Sequence, residues 1–322
     1  EHPFLDREDH PIWSKLSPDR IKPEITIALE RSEQNLSTIR KLEPGEHTFA
    51  NTIKALEQAT LDLNHAWGLV SHLDSVCNSK ELRNAHNEML PKVSAFWAKI
   101  SLDPKLWMAV LSFSESEEAK TLAPIDKRLL DETLADFRDE GADLPTEKKV
   151  RLEKLSSELA QTTQKFSEQV LDATNAWQII IREETKLNGL PETAKDAARL
   201  TAIEKLGQEE GKNAWVLTLQ APSLTPALQY LDDNELRREI WVASDELGCS
   251  DPYDNQKLVS EILRLRQEKA ELLGKPDFSE VALSRRMAKC GKNADDFISD
   301  LHQKTLPFFT NENKELEAFK AE

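Results

Sequence analysis

Glycine is what this chain has least of for its size: 9 in 322 residues, roughly 3% where about 7% is ordinary. Chains rich in tight hairpin turns lean on glycine for positive φ, so a many-stranded β architecture is a poor fit. Cysteine is scarce too. Cys77, Cys249 and Cys290 are odd in number and far apart, which argues against a disulfide framework and for reduced thiols in the cytoplasm. No apolar run approaches the roughly 18 residues of a membrane helix. Residues Glu1 to Asp6 lack the basic and apolar regions of a signal peptide. Excess positive charge is also missing. The 42 Lys and Arg stand against 58 Asp and Glu, a net charge of −16, so phosphate backbones repel the chain. Neither nucleic acid nor membrane is an expected partner.

What is present is charge and helical pattern. Hydrophobic residues make up 39% and charged residues 31%, with a mean hydropathy of −0.56, a composition that supports a genuine core. Phe49, Ile53, Leu56, Thr60, Leu63, Trp67 and Val70 recur at alternating steps of three and four. Leu152, Leu155, Leu159, Thr162, Phe166, Val170, Ala173 and Trp177 do the same. Each set draws one apolar stripe down a long helix, the second roughly 45 Å long at 1.5 Å per residue.

Glycine followed by proline marks stops and restarts at Gly141/Pro145, Gly189/Pro191, Gly248/Pro252 and Gly274/Pro276. Asp277 with Glu280, and Asn78 with Glu81, have capping-box spacing. Helices are expected near 23–41, 48–77, 79–100, 103–118, 124–140, 146–176, 191–209, 233–247, 255–273, 277–288 and 293–320. Residues 177–181 (WQIII) and 215–219 (WVLTL) read as two strands able to pair as a small patch of undetermined direction. The expected class is mainly α: long antiparallel helices and helical hairpins with one two-stranded β patch. The expected division is a helical region at 1–143 and a long-helix region carrying the patch at 144–322. The chain opens on Glu1 and ends inside a charged helical pattern, so it is expected to be part of something longer.

Catalytic patterns are sparse. The histidines are His2, His10, His47, His65, His72, His86 and His302, and none begins a His-Glu-x-x-His. His65 and His72 lie seven residues apart, about 10 Å along a helix, too far to share one ion. They are expected as half-buried, hydrogen-bonded side chains. Asp62-Leu63-Asn64-His65 is a single, imperfect approach to a di-iron motif. Cys290 lies in the most basic stretch, Arg285 to Lys292, where a lowered thiol pKa is conceivable, but a solvated helix end explains the charges as well. Gly207 to Lys212 imitates a phosphate loop without its spacing or hydroxyl and precedes a strand, so it is rejected. No Gly-x-Ser-x-Gly elbow occurs. Trp67 and Trp177 belong to apolar stripes. Trp97, Trp107 and Trp241 fit a core or a cleft equally. No catalytic residue and no metal ligand is expected in this chain.

Several ordered strings carry a resemblance. They are Ile21-Lys22-Pro23-Glu24-Ile25, Val70 to Arg83, Phe166 to Thr174, Asp233 to Arg238, Ile262 to Gly274 and Leu283 to Ala288. In sequence over essentially the whole length, they resemble the amino-terminal part of the thimet oligopeptidase family of zinc metallopeptidases. The resemblance implies a helical, two-lobed enzyme that cuts short peptides inside a deep channel. It also implies zinc on a His-Glu-x-x-His helix with a further Glu ligand, the motif Glu acting on the zinc-bound water. No residue here matches those positions, so zinc belongs to the parent protein and this chain alone is expected to be inactive. Its expected role is one wall of the channel, with short peptides and a missing C-terminal catalytic half as partners. Arg285 and Arg286 are the candidates for attracting a peptide carboxylate. The alternative is a stand-alone helical peptide-binding or adaptor module without enzymatic activity.

Overall fold

The computed structural model describes residues 2–7 and 10–322. In chain order its helices are α1 (Pro18–Arg40), α2 (Ala55–Ala59), α3 (Leu61–Val76), α4 (Lys80–Leu102), α5 (Pro104–Ser114), α6 (Glu117–Lys120), α7 (Pro124–Asp139), α8 (Thr146–Ala176), α9 (Glu192–Leu206), α10 (Gln208–Gly211), α11 (Ala221–Tyr230), α12 (Asn234–Asp245), α13 (Gln256–Leu272), α14 (Phe278–Leu283) and α15 (Gly291–Ala321). The strands are β1 (Gln178–Ile181) and β2 (Trp215–Thr218). This is the mainly α fold with one small β patch that the sequence leads one to expect. The strands pair antiparallel, Gln178 opposite Thr218 and Ile181 opposite Trp215.

Local chemistry sets most helix ends. Pro18 and Pro104 open α1 and α5, where a missing N–H costs nothing. The Asp103 carboxylate accepts from the amides of Lys105 and Leu106 at 2.8 and 3.2 Å. Asp277 caps α14 through the Glu280 amide. The expected box at Asn78 is corrected: Ser79 accepts from Leu82 N, and Asn78 donates back to Asp74. A full capping box forms instead at Thr48 and Asn51.

Three other expectations are revised. Residues 48–77 are not one helix: a π-helical turn at Phe49–Lys54 leads into α2, and Thr60 leaves helical geometry at φ −114°, ψ 7°. Asn35 on α1 donates to the Ala59 carbonyl at this break, supplying a partner at the interrupted ladder. The apolar stripe still runs through it, with Ile53, Leu63 and Val70 buried. Residues 103–118 divide because the Ser116 hydroxyl caps the separate turn α6. Helix α11 falls in a segment for which no helix is expected. Pro222 sits in the first turn, and Pro226 is accommodated inside the helix.

The chain forms two compact units, residues 1–158 with 264–322 and residues 159–263. The first unit holds two apolar clusters. One gathers Leu36, Ile53, Leu106, Val110, Phe113 and Leu130; the other gathers Phe4, Ile21, Ile25, Leu63, Val70 and Met89. Phe96 of α4 packs against both. The buried Glu24 carboxylate accepts from the Phe4 amide at 2.7 Å, tying the fully buried Phe4 to α1. Residues of the first unit far apart in sequence are joined by Arg151. Its guanidinium donates to both Glu268 oxygens at 2.5 and 2.7 Å and to Glu158 at 3.2 Å.

The second unit is built around β2, which is buried along its whole length. Trp215 and Leu217 face a cluster with Leu187, Leu231 and Ile240, while Val216 faces Ala202 of α9. A strand covered on both faces needs no polar alternation. β1 keeps alternation, with Gln178 and Ile180 exposed and Ile181 buried. Two glycines permit close approach here. A Cβ at Gly211 would lie 2.4 Å from Ile203 Cα, and one at Gly189 (φ +84°) would lie 2.1 Å from the Tyr230 carbonyl.

Candidate functional site

His65, His86, His72 and His47 each meet a neighbouring group. His65 Nε2 lies 2.8 Å from the Asp6 carbonyl and is half-buried. His86 is buried and stacks on Trp67 at 4.8 Å, and His72 meets the Trp13 ring at 5.7 Å. His47 Nδ1 lies 3.1 Å from Ser112 Oγ. Among the described residues no three His, Cys, Asp or Glu side chains converge as a metal site requires. The described donor set therefore does not fit a zinc ion.

The two arginines singled out by sequence sit just after α14. Arg285 is committed to α7: its guanidinium pairs with Asp136 and Glu132, and with Asp139 at 3.4 Å. The hydrogen bond to Asp136, then that to Glu132, hold its proton above the ordinary arginine range. Arg286 is exposed, and its Nε donates to the Ala282 carbonyl. Past a positive-φ Lys289 (66°), Cys290 holds the N-cap position of α15 as a free thiol that makes no capping hydrogen bond. Glu280 accepts from the Gly291 amide at 2.9 Å, fastening that entry.

The most distinctive surface is α15 itself. Over 31 residues it buries none, yet Phe297, Leu301, Phe308, Leu316 and Phe319 recur at helical spacing, all exposed. Such a stripe on a globular protein marks a surface built to be covered. The spacing of those residues was available in the sequence; their exposure was not, because periodicity says that a face is apolar and not what lies against it.

In the second unit a cleft of about 800 Å³ opens between α12 and the turn after it, lined among others by Trp177, Leu219, Arg238, Val242 and Tyr253. The tryptophans that sequence left open now separate. Trp107 is core and stacks on Phe137, Trp97 is half-buried edge-on to Phe96, and Trp241 faces solvent at 53% exposure.

Two family models match the chain: the N-terminal domain of neurolysin/thimet oligopeptidase over residues 24–149, and peptidase family M3 over residues 227–322. The two matches lie in order along the chain, the first to the amino-terminal domain of the thimet oligopeptidases and the second to part of a peptidase family. Among its relatives is oligopeptidase A of Escherichia coli, 33% identical over the whole of this chain and 47% of the relative. Oligopeptidase A of Haemophilus influenzae is 32% identical over 99% of the chain and 46% of its own length. A probable cytosolic oligopeptidase A of Arabidopsis thaliana is 29% identical over 99% and 45%. The chain thus spans about half the length of the curated relatives it matches. Helix α15 lies wholly inside the segment matched by the M3 model.

Proposed function

We propose that this chain is the amino-terminal, non-catalytic portion of a zinc-dependent oligopeptidase, and that it forms one wall of the channel in which short peptides are hydrolysed. The observation that carries the reading is the uncovered apolar face of α15, within a segment matching a peptidase family. In this reading that face seats the catalytic half. The zinc, the water it activates and the general base belong to that other half. This half contributes rigid helical walls that admit only narrow, unfolded peptides by excluded volume. The region 1–143 is then an N-terminal helical region, and 144–322, with the long helix and the small β patch, the start of the two-lobed fold. Of the two arginines, Arg286 is the one without an ion pair among the described residues, and it is the one to which we assign attraction of a peptide carboxylate. The compartment in this reading is the cytoplasm, as for the relative named cytosolic.

The test begins by sequencing the gene beyond the codon for Glu322. The expected result is a continuous frame encoding a His-Glu-x-x-His helix. The extended protein should cleave a quenched fluorescent peptide in a zinc-dependent manner, the 322-residue chain should not, and amide exchange along α15 should slow in the extended form. A stop codon directly after Glu322, or zinc-independent cleavage by the short chain, overturns the proposal and favours a stand-alone module.

A further inference from the structure

A second surface lies apart from α15 and has no place in that proposal. Along α1, α4 and the beginnings of α5 and α8, all within the first unit, runs a groove of about 1280 Å³. Its floor is apolar, with Leu29, Phe96, Ile100 and Val150. It follows the seam of the two clusters, since Phe96 packs against both. The volume exceeds the roughly 300–1,000 Å³ of ordinary small-molecule pockets. A furrow between helices accepts the side-chain ridge of another helix.

The rim identifies the occupant's charge. Arg40 is consumed by Glu33 and Asp103, both at 2.6 Å, and Lys99 stands 3.6 Å from Glu153. Lys92 stands 3.9 Å from Glu88, which leaves Lys105 and Lys149, without an ion pair among the described residues, against one such carboxylate, Glu30. In a chain of net charge −16, an apolar furrow whose unspent charge is positive runs against the surrounding field. We propose that this groove docks an acidic amphipathic helix of a partner protein: its apolar ridge lies on Phe96, Ile100 and Val150, and its carboxylates meet Lys105 and Lys149. Pairs at such a rim contribute register and specificity more than raw affinity.

The test uses the full 322-residue chain and two fluorescein-labelled 18-residue peptides. Both carry leucine at helical i, i+3, i+4, i+7 spacing, one with glutamate elsewhere and one with lysine. Fluorescence anisotropy should show saturable binding of the glutamate peptide, weakening with salt, and none of the lysine peptide. Lys105→Glu with Lys149→Glu should cost about tenfold or more in affinity. Val150→Asp, at a position already 64% exposed and therefore safe for folding, should also weaken binding while leaving both lysines in place. Phe308→Ser on α15 should change nothing. Circular dichroism should show each variant folded. The proposal is overturned if both peptides bind equally, if the groove variants bind like the parent, if Phe308→Ser abolishes binding, if light scattering shows the groove filled by a second copy, or if the glutamate peptide fails to saturate.

Discussion

Replacing Arg151 by methionine removes a charge while keeping the apolar stem. In the parent, two short hydrogen bonds run to Glu268 and one longer bond to Glu158. A hydrogen bond to a charged group contributes about 1.5–3 kcal/mol when shielded. Here the side chains are 32% and 29% exposed, and solvent screening reduces the total to about 1–2 kcal/mol. Glu268 keeps Arg264 at 3.2 Å four residues away, which retains about 0.3–0.5 kcal/mol. The measurement is urea unfolding followed by circular dichroism, in a double-mutant cycle with Glu268→Gln. A coupling energy near 1 kcal/mol is expected. The pH dependence has a definite sign. Hydrogen bonding to Arg151 holds the Glu268 carboxyl below the ordinary glutamate range, so its unfolded form binds protons more readily. The contribution is complete above the unfolded value of about 4.3 and disappears as pH falls through the depressed folded value. The stability gap between parent and variant should therefore close on acidification. A coupling energy near zero, or a gap that persists at a pH where Glu268 is protonated in both states, refutes the reasoning.

Two further substitutions probe the packing. Phe113→Ala in the first cluster, where Phe113 is fully buried, should lower unfolding free energy by about 3–5 kcal/mol; a loss under 1 kcal/mol in the same urea assay would mean that the cluster collapses around the gap. Gly189→Ala meets both an unfavourable φ of +84° and the Tyr230 carbonyl, and should cost more than about 1 kcal/mol; a neutral melting temperature would show that the loop shifts freely.

The architecture was largely legible because its signals are local. Period-3.6 stripes placed α8 at residues 146–176 from pattern alone, and its observed bounds are Thr146–Ala176. The runs 177–181 and 215–219 announced the two strands, observed at Gln178–Ile181 and Trp215–Thr218. Errors fell where tertiary contacts outweigh local preference. Asn35, 24 residues away, sustains the break after Ala59, and a helix interior accommodates Pro226. The surfaces were less legible. Arg285 reads as a free cation in a basic stretch, yet three carboxylates about 150 residues earlier claim it. The groove around Phe96 is invisible to any window, because its residues come from four separate helices.

The first unit is discontinuous: residues 264–322 complete a body begun by residues 1–158, and the second unit is spelled out between them. For a chain made from its amino end, this fixes an order of events. The contiguous second unit has every residue it needs before the first does. The early helices must wait for Glu268, Lys269 and Arg285 to emerge before Arg151, Glu140 and the α7 carboxylates find their counterparts. At about 5–20 residues per second, the interval needed to translate the intervening segment is about 5–20 s. During that time the amino-terminal helices, whose two apolar clusters are drawn wholly from residues 4–142, can pack but stand without these ion pairs.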